Sequence, residues 1–372
     1  MVPASADDPS RPDAPAAGKR RWRDWLPWRR QGPPGPVSVN LALQGGGAHG
    51  AFTWGVLDRL LEDERLEIEG LSGASAGAMN AAVLASGWLH GGRDGARQAL
   101  HGFWQQVSKS CRVGPLRAGP LEYLVNGWNR DWSPGYLMVS AITKVASPYQ
   151  FNPSGFNPML ALLEERIDFD ALRRSRRLKL FIAVTNVHTG RLRVLRNPEL
   201  SAQALLASSC LPLLFHAVKL GDEYYWDGGY TANPPLFPLM FECDSKDIVL
   251  VQLEPSRRES VPTRLPEIVD RANEIAFNAN LMRELQLLAM LEHGSSLFPM
   301  PRRLGRPAKR LHVHHVEAAG AMDGMGRTSR INAEWGFLLH LRDLGRQRAQ
   351  RWLERHGAAL GQRSSMDLSR YL

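Results

Sequence analysis

The sequence predicts a three-layer α/β/α fold with a mainly parallel central sheet. Two consecutive stretches, Val37–Glu62 and Ile68–Ala85, each have the pattern of a strand, a glycine-rich turn and a helix. Units of this kind in series join parallel strands through crossover helices. A third stretch, Ile248–Leu253, is almost entirely apolar, which is typical of a parallel strand that is buried on both faces.

The composition suits a globular domain with a basic surface. The 372 residues are 44% hydrophobic and 22% charged, and the formal net charge is +9. Such a charge favours an anionic partner, either a phospholipid surface or nucleic acid, unless it only forms a solvated face. Because no nucleic-acid-binding motif is visible, we expect no nucleic acid as a partner and a peripheral contact with an anionic membrane instead.

The cysteines and the first residues indicate a reducing compartment. Cys111, Cys210 and Cys243 form neither a disulfide framework nor a metal-ligand spacing. Residues 1–36 contain no apolar core segment of a secretory signal. The longest uncharged run, Leu71–Leu89, is of membrane length but rich in small and polar residues, which favours a buried helix. We therefore expect a cytoplasmic protein that can associate peripherally with a membrane.

We predict a disordered tail followed by one domain. Residues 1–36 are rich in proline, alanine and charge, as disordered segments are. Within them, residues 20–30 carry three tryptophans among five arginines, which suits the interface of an anionic bilayer. An unstructured basic tail without a ligand has the same pattern. The domain then spans residues 37–372, with its core in residues 37–255.

The pattern loosens between residues 91 and 157, where tryptophans lie among glycine, proline and arginine. Long irregular segments often form lids or walls of a site, so we predict one here, with a few packed helices as the alternative. The remaining segments have regular patterns. They are a hairpin of strands Leu178–Thr185 and Arg191–Leu195, a helix capped by Ser201 and running to Ser209, an edge element Leu220–Trp226, a strand Leu311–Val316, and C-terminal helices over residues 266–294 and 332–356.

The stretch Gly73-Ala74-Ser75-Ala76-Gly77 has the pattern G-x-S-x-G and lies between a strand end and a helix. In a nucleophile elbow of this kind, the serine takes a sparsely allowed backbone conformation that requires small neighbours. The helix that follows directs free backbone N–H groups and the positive end of its dipole toward the serine oxygen. The pattern predicts a nucleophilic serine, and a Ser/Gly turn that caps a helix is the alternative.

Two further segments supply the other groups that acyl transfer needs, a base and donors for the oxyanion. Gly45-Gly46-Gly47 follows the first strand and offers backbone N–H groups without side chains that would block a substrate. Asp227 lies in a turn with Gly228 and Gly229, which leaves its carboxylate accessible. Together with Ser75, these residues predict an acyl-transfer site.

These residues resemble the motifs of the patatin-like phospholipase family. The family pattern is G-G-G-x-[RK]-G, then G-x-S-x-G, then D-G-[GA], and all three occur here in that order within residues 37–255. The stretch Ala207–Phe215 also resembles the family, with Cys210 where alanine is usual. Further similar stretches are Asn233-Pro234 and, in bacterial members, Ser329–Arg346.

The resemblance implies a patatin-like fold with a Ser-Asp dyad, in which Ser75 becomes acylated and Asp227 is the base. It implies hydrolysis of lipid acyl esters, as by a phospholipase A or a lysophospholipase, through an acyl-enzyme and with neither a metal nor an organic cofactor. The implied oxyanion donors are the backbone amides of Gly45, Gly46, Gly47 and Ala76. Desolvation in a closed site would raise the pKa of Asp227 and make its carboxylate a better base.

The chain departs from the family pattern at His49, where Arg or Lys is usual. A neutral histidine removes a fixed positive charge, so this residue either titrates near neutral pH or packs and hydrogen-bonds locally. The difference puts an ion pair or a headgroup contact in doubt, but it leaves the dyad unaffected.

Other interpretations are open at this point. Ser75, Asp227 and one of His312, His314 and His315 have the chain order of an α/β-hydrolase triad, although alternation in a short strand also explains these histidines. Storage polyesters and acyl thioesters are alternative substrates. A protein of another class, which binds a membrane surface and has an idle site, is a further alternative.

Overall fold

A computed structural model describes residues 35–111, 128, 134–258, 260–294, 311–318, 320–322 and 325–372. The predicted tail therefore lies outside the described residues, apart from its last two positions. The same holds for most of residues 112–133, within the segment predicted to be irregular.

The described residues form one eight-stranded sheet, in which five neighbouring strands run parallel. The strands are β1 Val37–Leu43, β2 Leu66–Gly73, β3 Lys179–Asn186, β4 Leu192–Arg196, β5 Val218–Leu220, β6 Glu223–Asp227, β7 Asp247–Gln252 and β8 His312–Glu317. Their order is β5-β6-β3-β2-β1-β7-β8, with β4 also paired to β3. Strands β3, β2, β1, β7 and β8 are mutually parallel, whereas β4, β5 and β6 form antiparallel pairs. The predicted mainly parallel sheet is confirmed.

Helices cover both faces of the sheet, so the architecture has the three predicted layers. The helices are α1 Gly50–Leu61, α2 Ala76–Cys111, α3 Pro134–Val145, α4 Pro148–Phe151, α5 Met159–Arg166, α6 Phe169–Arg174, α7 Ala202–Ser208, α8 Phe237–Glu242, α9 Leu265–Gly294 and α10 Trp335–His356. Alternate residues of β7 enter separate cores: Val249 and Val251 pack with α1, α2 and α10, whereas Ile248 and Leu250 pack with α8 and α9. This two-sided burial explains why β7 has no polar face.

Within the predicted irregular segment, residues 93–111 are helical, so a lid or loop was the wrong expectation there and the alternative of packed helices holds. Ala96, Leu100 and Phe103 recur at helical spacing and are fully buried, so they continue α2 into the core. The glycines that suggested a loop only bend this helix, because Gly91 and Gly92 have non-helical dihedral angles. By contrast, the hairpin of β3 and β4 is confirmed.

Strand β3 brings the ends of two distant strands together. Gly73, the last residue of β2, pairs with Ile182 on β3, and Asp227, the last residue of β6, pairs with Val184. Because β4 pairs with the opposite edge of β3 over the same residues, β2 and β6 must share one edge. The segments that follow β2 and β6 are thereby placed about two residues apart along β3.

Helices α1 and α10 pack backbone to backbone on the outer face of the larger core. A side-chain carbon added to Gly55 of α1 would overlap the carbonyl of Arg342, and one added to Gly345 of α10 would overlap the carbonyl of Phe52. Only glycine permits this separation of the two helix axes. The C-terminal helix is therefore part of the domain core rather than an appendage.

Replacing Gly345 with alanine should destabilise the domain, because the added methyl group would force α1 and α10 apart. Overpacking of this kind typically costs about 1–3 kcal/mol. We expect a lower midpoint in urea and thermal unfolding. The matched control is Gly357→Ala at the end of α10, where no atom lies within 4 Å of the added carbon. Equal losses in both variants would contradict the packing argument.

Candidate active site

The elbow between β2 and α2 has the geometry that its sequence pattern predicts. Ser75 has a φ of 52°, and it is the one non-glycine residue with positive φ in the described part of the chain. A side-chain carbon on Gly73 would lie 2.6 Å from the carbonyl carbon of Gly77, and one on Gly77 would overlap the carbonyl of Leu43. Both glycines are needed because the turn closes on itself and on β1. The half-buried Ser75 hydroxyl is thus presented at the carboxyl end of the sheet.

The backbone of Ser75 is fixed from a second segment. Its amide donates to the carbonyl oxygen and to the Oγ of Ser208, both at 3.0 Å. Ser208 is fully buried at the end of α7. The amide of Ser75 is therefore occupied, whereas the amide of Ala76, at the first turn of α2, has no acceptor among the described residues.

The carboxylate of Asp227 lies beside Ser75 and is almost completely buried, with 1% of the residue exposed. It accepts a hydrogen bond from the Gly229 amide at 2.7 Å, and the Ser75 side chain lies near enough to stabilise its ionised form. Burial raises the pKa of Asp227 from its ordinary value of 3.8 to about 7, although the Gly229 amide and the Ser75 side chain act in the opposite direction. The carboxylate is therefore a much better proton acceptor than an exposed aspartate.

The turn that carries Asp227 is held from three sides. Thr185 of β3 donates its hydroxyl to the Asp227 carbonyl at 2.7 Å, and the Asp227 amide donates to the carbonyl of Cys210 at 2.8 Å. An added carbon on Gly228 would overlap the carbonyl of Ala183, and one on Gly229 would lie 2.6 Å from the ring of Phe277. These close contacts explain why glycine follows the aspartate at both positions.

The glycine loop after β1 lies directly against the elbow. A side-chain carbon on Gly45 would lie 2.8 Å from the Cβ of Ser75. The Gly45 amide donates to Oδ1 of Asn233 at 2.7 Å. The amides of Gly46 and Gly47 have no acceptor within the described residues, and Gly47 is exposed. The loop thus leaves room beside Ser75 and presents two unoccupied N–H groups.

Buried amide side chains anchor this loop, and the sequence analysis assigned them no role. Oε1 of Gln44 accepts from the amides of Leu253 and Glu254 at 2.7 and 2.8 Å. Nε2 of Gln44 donates to Oδ1 of Asn278 on α9 at 2.7 Å. Gln44 and Asn233 lie next to two glycine motifs, and this position was the only sequence signal of their role. Their hydrogen-bond partners are remote in the sequence.

His49 packs locally, and a titration near neutral pH is not supported. Its Nε2 lies 2.7 Å from Oγ of Ser329, and its ring meets Phe337 edge to face. Burial, together with the positive charge of Arg330, lowers the pKa of His49 to about 3. The imidazole is therefore neutral at physiological pH, and it joins the glycine loop to the segment that contains Ser329.

The three histidines of the alternative triad lie elsewhere. They belong to β8, which is separated from β2 by β1 and β7, a distance of about 14 Å across the sheet. Nε2 of His314 lies 2.8 Å from Oδ1 of Asp247, and its Nδ1 lies 3.0 Å from Oγ of Ser365. These contacts tie the end of the chain to the sheet edge, and the triad interpretation is wrong for this geometry.

Cys210, at the position where alanine is usual, is buried next to the turn that carries Asp227. Its thiol donates to the carbonyl of His216 at 3.0 Å. Burial, and after it the charge of Asp227, raises the pKa of this thiol to about 12. Cys210 therefore stays protonated and does not compete with Ser75 as a nucleophile.

The fold and the site together define an α/β protein with a serine at a strand–helix elbow and a buried aspartate beside it. The family model of the patatin-like phospholipases matches residues 41–240, more than half of the chain. The chain belongs to this family, as its motifs indicated. No curated protein sequence matches the chain.

Solved structures of bacterial proteins match the chain at low identity and low TM-score. VipD from Legionella pneumophila is 16% identical, with 86% of this chain and 67% of VipD covered at a TM-score of 0.36. The type III effector ExoU is 18% identical, with 87% of this chain and 54% of ExoU covered at a TM-score of 0.32. The ExoU–SpcU complex of Pseudomonas aeruginosa gives a match of the same quality. The chain spans about half the length of ExoU.

One negative finding concerns the membrane. In the part of the chain that the structure describes, no helix combines the length and the apolar character needed to cross a bilayer. The run Leu71–Leu89 is instead buried as the end of β2 and the start of α2, as predicted.

The raised pKa of Asp227 should make the stability of the domain depend on pH. The folded protein holds the proton more tightly than the unfolded chain, so ionisation favours unfolding and stability falls as pH rises from about 4 to about 7. The full effect is roughly 4 kcal/mol. Asp227→Asn lacks this titration, so its stability should exceed that of the parent increasingly up to about pH 7 and then by a constant amount. Urea unfolding at pH 4, 6 and 8 measures the difference in the free energy of unfolding between the variant and the parent. A difference that does not change with pH would contradict the raised pKa of Asp227.

Proposed function

We propose that this protein is a serine acyl hydrolase that cleaves lipid acyl esters, as a phospholipase A or lysophospholipase does, through a Ser75–Asp227 dyad. The observation that carries the proposal is the strained Ser75 beside a buried carboxylate whose pKa is raised by burial to about 7. Membership of the patatin-like phospholipase family supports a lipid substrate.

In the first half of the proposed reaction, the ionised Asp227 accepts the proton of the Ser75 hydroxyl as Oγ attacks the ester carbonyl carbon. The carbonyl π electrons move onto oxygen, and a tetrahedral intermediate forms. When it collapses, the bond to the alcohol breaks, and Asp227 gives its proton to the departing alkoxide. The products are a free alcohol, such as a lysolipid, and Ser75 esterified by the acyl group.

The oxyanion of this intermediate needs donors that are free before the reaction. We assign this role to the amides of Gly46, Gly47 and Ala76, because none of them has an acceptor among the described residues. Each well-placed donor is typically worth about 3 kcal/mol of the barrier. The amide of Gly45, the fourth expected donor, is bonded to Asn233, so Gly45 serves mainly by leaving space beside Ser75.

The second half of the reaction uses the same groups with water as the nucleophile. Asp227 accepts a proton from a water molecule, whose oxygen attacks the acyl carbon. Collapse of the second tetrahedral intermediate returns the proton to Oγ of Ser75 and releases the fatty acid. The chain's own side chains and amides supply every proton transfer and every stabilising contact of this scheme.

The surroundings of the dyad suit an acyl chain. The carbonyl of Cys210 accepts from the Asp227 amide, and three apolar residues follow Cys210 directly in the chain. These residues, Leu211, Leu214 and Phe215, are half-buried rather than part of the core. Leu213 is 63% exposed. Apolar side chains left partly open next to a nucleophile are typical of a lipid-binding wall. The predicted contact of the N-terminal Arg/Trp segment with an anionic membrane concerns residues outside the described part and stays a prediction.

Ser75→Ala should abolish acyl transfer, and Asp227→Asn should reduce it at least a thousandfold, because the scheme has no other nucleophile or base. A fluorophosphonate probe should label the parent and not Ser75→Ala, and turnover on long-chain phospholipid esters should follow the labelling. The control is His314→Gln, which lies in the rejected triad and should keep its activity. Turnover by Ser75→Ala would overturn the proposal. If the probe labels Ser75 but the protein turns over only acyl thioesters or polyesters, the nucleophile is right and the proposed lipid substrate is wrong.

The pH profile should report the ionisation of Asp227. Below pH 7, kcat/KM on a short-chain ester should fall tenfold for each pH unit, because only the ionised carboxylate accepts the serine proton. Above pH 7 it should reach a plateau, since the pKa values of His49 and Cys210 lie far away, at about 3 and 12. A profile without an inflection between pH 6 and 8 would contradict the role of Asp227.

A further inference from the structure

Exposed apolar side chains from two remote segments lie on neighbouring parts of the surface. Tyr149, Phe151 and Phe156 are 56%, 39% and 70% exposed, and Leu213 is 63% exposed. We call these four residues the apolar rim. Side chains of this size normally enter the core, and several of them together on the surface indicate a contact with another apolar phase or molecule.

The two segments of the apolar rim are held together through His216. The ring of Tyr149 stacks on the imidazole at 4.0 Å between centroids, and Nε2 of His216 donates to the carbonyl of Pro148 at 3.2 Å. The amide of Ala217 donates to the Tyr149 hydroxyl at 3.1 Å. A carbon on Gly155 would lie 3.3 Å from Nδ1 of His216. The apolar rim is therefore a formed surface whose polar groups are already paired.

The position of the apolar rim connects it to the proposed chemistry. The carbonyl of Cys210 accepts the Asp227 amide at 2.8 Å, and Leu213 follows only three residues later. Three residues of chain span at most about 11 Å. Ser208, which binds the Ser75 amide, lies five residues before Leu213. A phase that covers the apolar rim would thus lie within reach of the dyad.

The charge around the apolar rim selects among possible occupants. Residues 134–163 contain neither aspartate nor glutamate, and the same is true of residues 200–221. The charged residues in these ranges are Lys144 and Lys219. Two segments that carry aromatic rings, a tyrosine hydroxyl and Lys219 but no carboxylate match the interface of an anionic bilayer.

Helix α9 provides the contrast within the same molecule. It exposes apolar side chains of similar size, among them Leu287 at 54% and Met290 at 53%. These residues lie near the charges of Arg283 and Glu292. The exposed carboxylate of Glu292 disfavours an anionic lipid surface. The α9 face therefore serves as a matched control.

We propose that the apolar rim is the surface on which this protein docks to an anionic lipid bilayer, with Phe156 and Phe151 entering the interface beside the dyad. The proposal rests on the proposed function, since a docked dyad would draw its ester substrates from the same bilayer. Docking itself requires no catalysis, so the two proposals can fail separately.

The test uses the full chain with Ser75→Ala, which cannot consume the lipid, and flotation with vesicles of phosphatidylcholine alone or with phosphatidylglycerol. Adding Phe151→Ser and Phe156→Ser should lower the vesicle partition coefficient at least tenfold, whereas Leu287→Ser with Met290→Ser should change it less than twofold. In the active background, Phe151→Ser with Phe156→Ser should keep the turnover of a soluble short-chain ester and lose that of vesicle lipid. Thermal unfolding checks that both pairs are folded.

Three results would overturn the docking proposal. Unchanged vesicle binding after Phe151→Ser and Phe156→Ser would place docking elsewhere, for example on the N-terminal Arg/Trp segment. Equal binding to neutral and anionic vesicles would remove the charge argument. Conversion of a dimer to a monomer by the same substitutions, with vesicle binding intact, would make the apolar rim an interface between two copies. If the unsubstituted protein does not hydrolyse the soluble ester, the proposed function is overturned, whereas the result on vesicle docking is unaffected.

Discussion

The site depends on one constraint in the sheet, which is that β2 and β6 share an edge of β3. Gly73 pairs with Ile182 and Asp227 pairs with Val184, so the elbow and the aspartate turn leave the sheet side by side. The antiparallel hairpin partner β4 occupies the other edge and leaves no alternative placement. Without this arrangement, two residues about 150 positions apart in the chain would not be neighbours, and neither could alter the chemistry of the other.

Burial then sets the chemistry of the aspartate at the expense of stability. Taking the Asp227 carboxylate out of water raises its pKa to about 7, while the Gly229 amide and the Ser75 side chain limit the increase. The same burial makes the ionised form unfavourable in the folded state. The strained φ of Ser75 is a second local cost. Both are held in place by the packed strands and by Ser208 and Thr185, which fix the two backbones from neighbouring elements.

The glycine loop depends on parts of the chain far from its own motif. Gln44 and Asn233 bind it through buried amide groups, and the carbonyl of Arg330 would lie 2.5 Å from a side chain at Gly47. Arg330 in turn pairs with the buried Glu254 at 2.6 Å. The segment around residues 327–331 therefore closes over the loop, while His49 replaces a cation with a neutral contact to Ser329. The C-terminal region is thus part of the site's support.

The sequence by itself determined the order of strands and helices, the parallel core, the elbow and the family, because these follow from local periodicity, turn chemistry and short motifs. It misjudged residues 93–111, where glycines suggested a loop and buried contacts of Leu100 and Phe103 maintain a helix. Only the tertiary structure decided that Asp227 is buried, that the amide of Gly45 is already bonded to Asn233, and that His312 and His314 of β8 lie against Asp247 instead. Burial and hydrogen-bond partners arise from residues remote in the chain, and no local pattern records them.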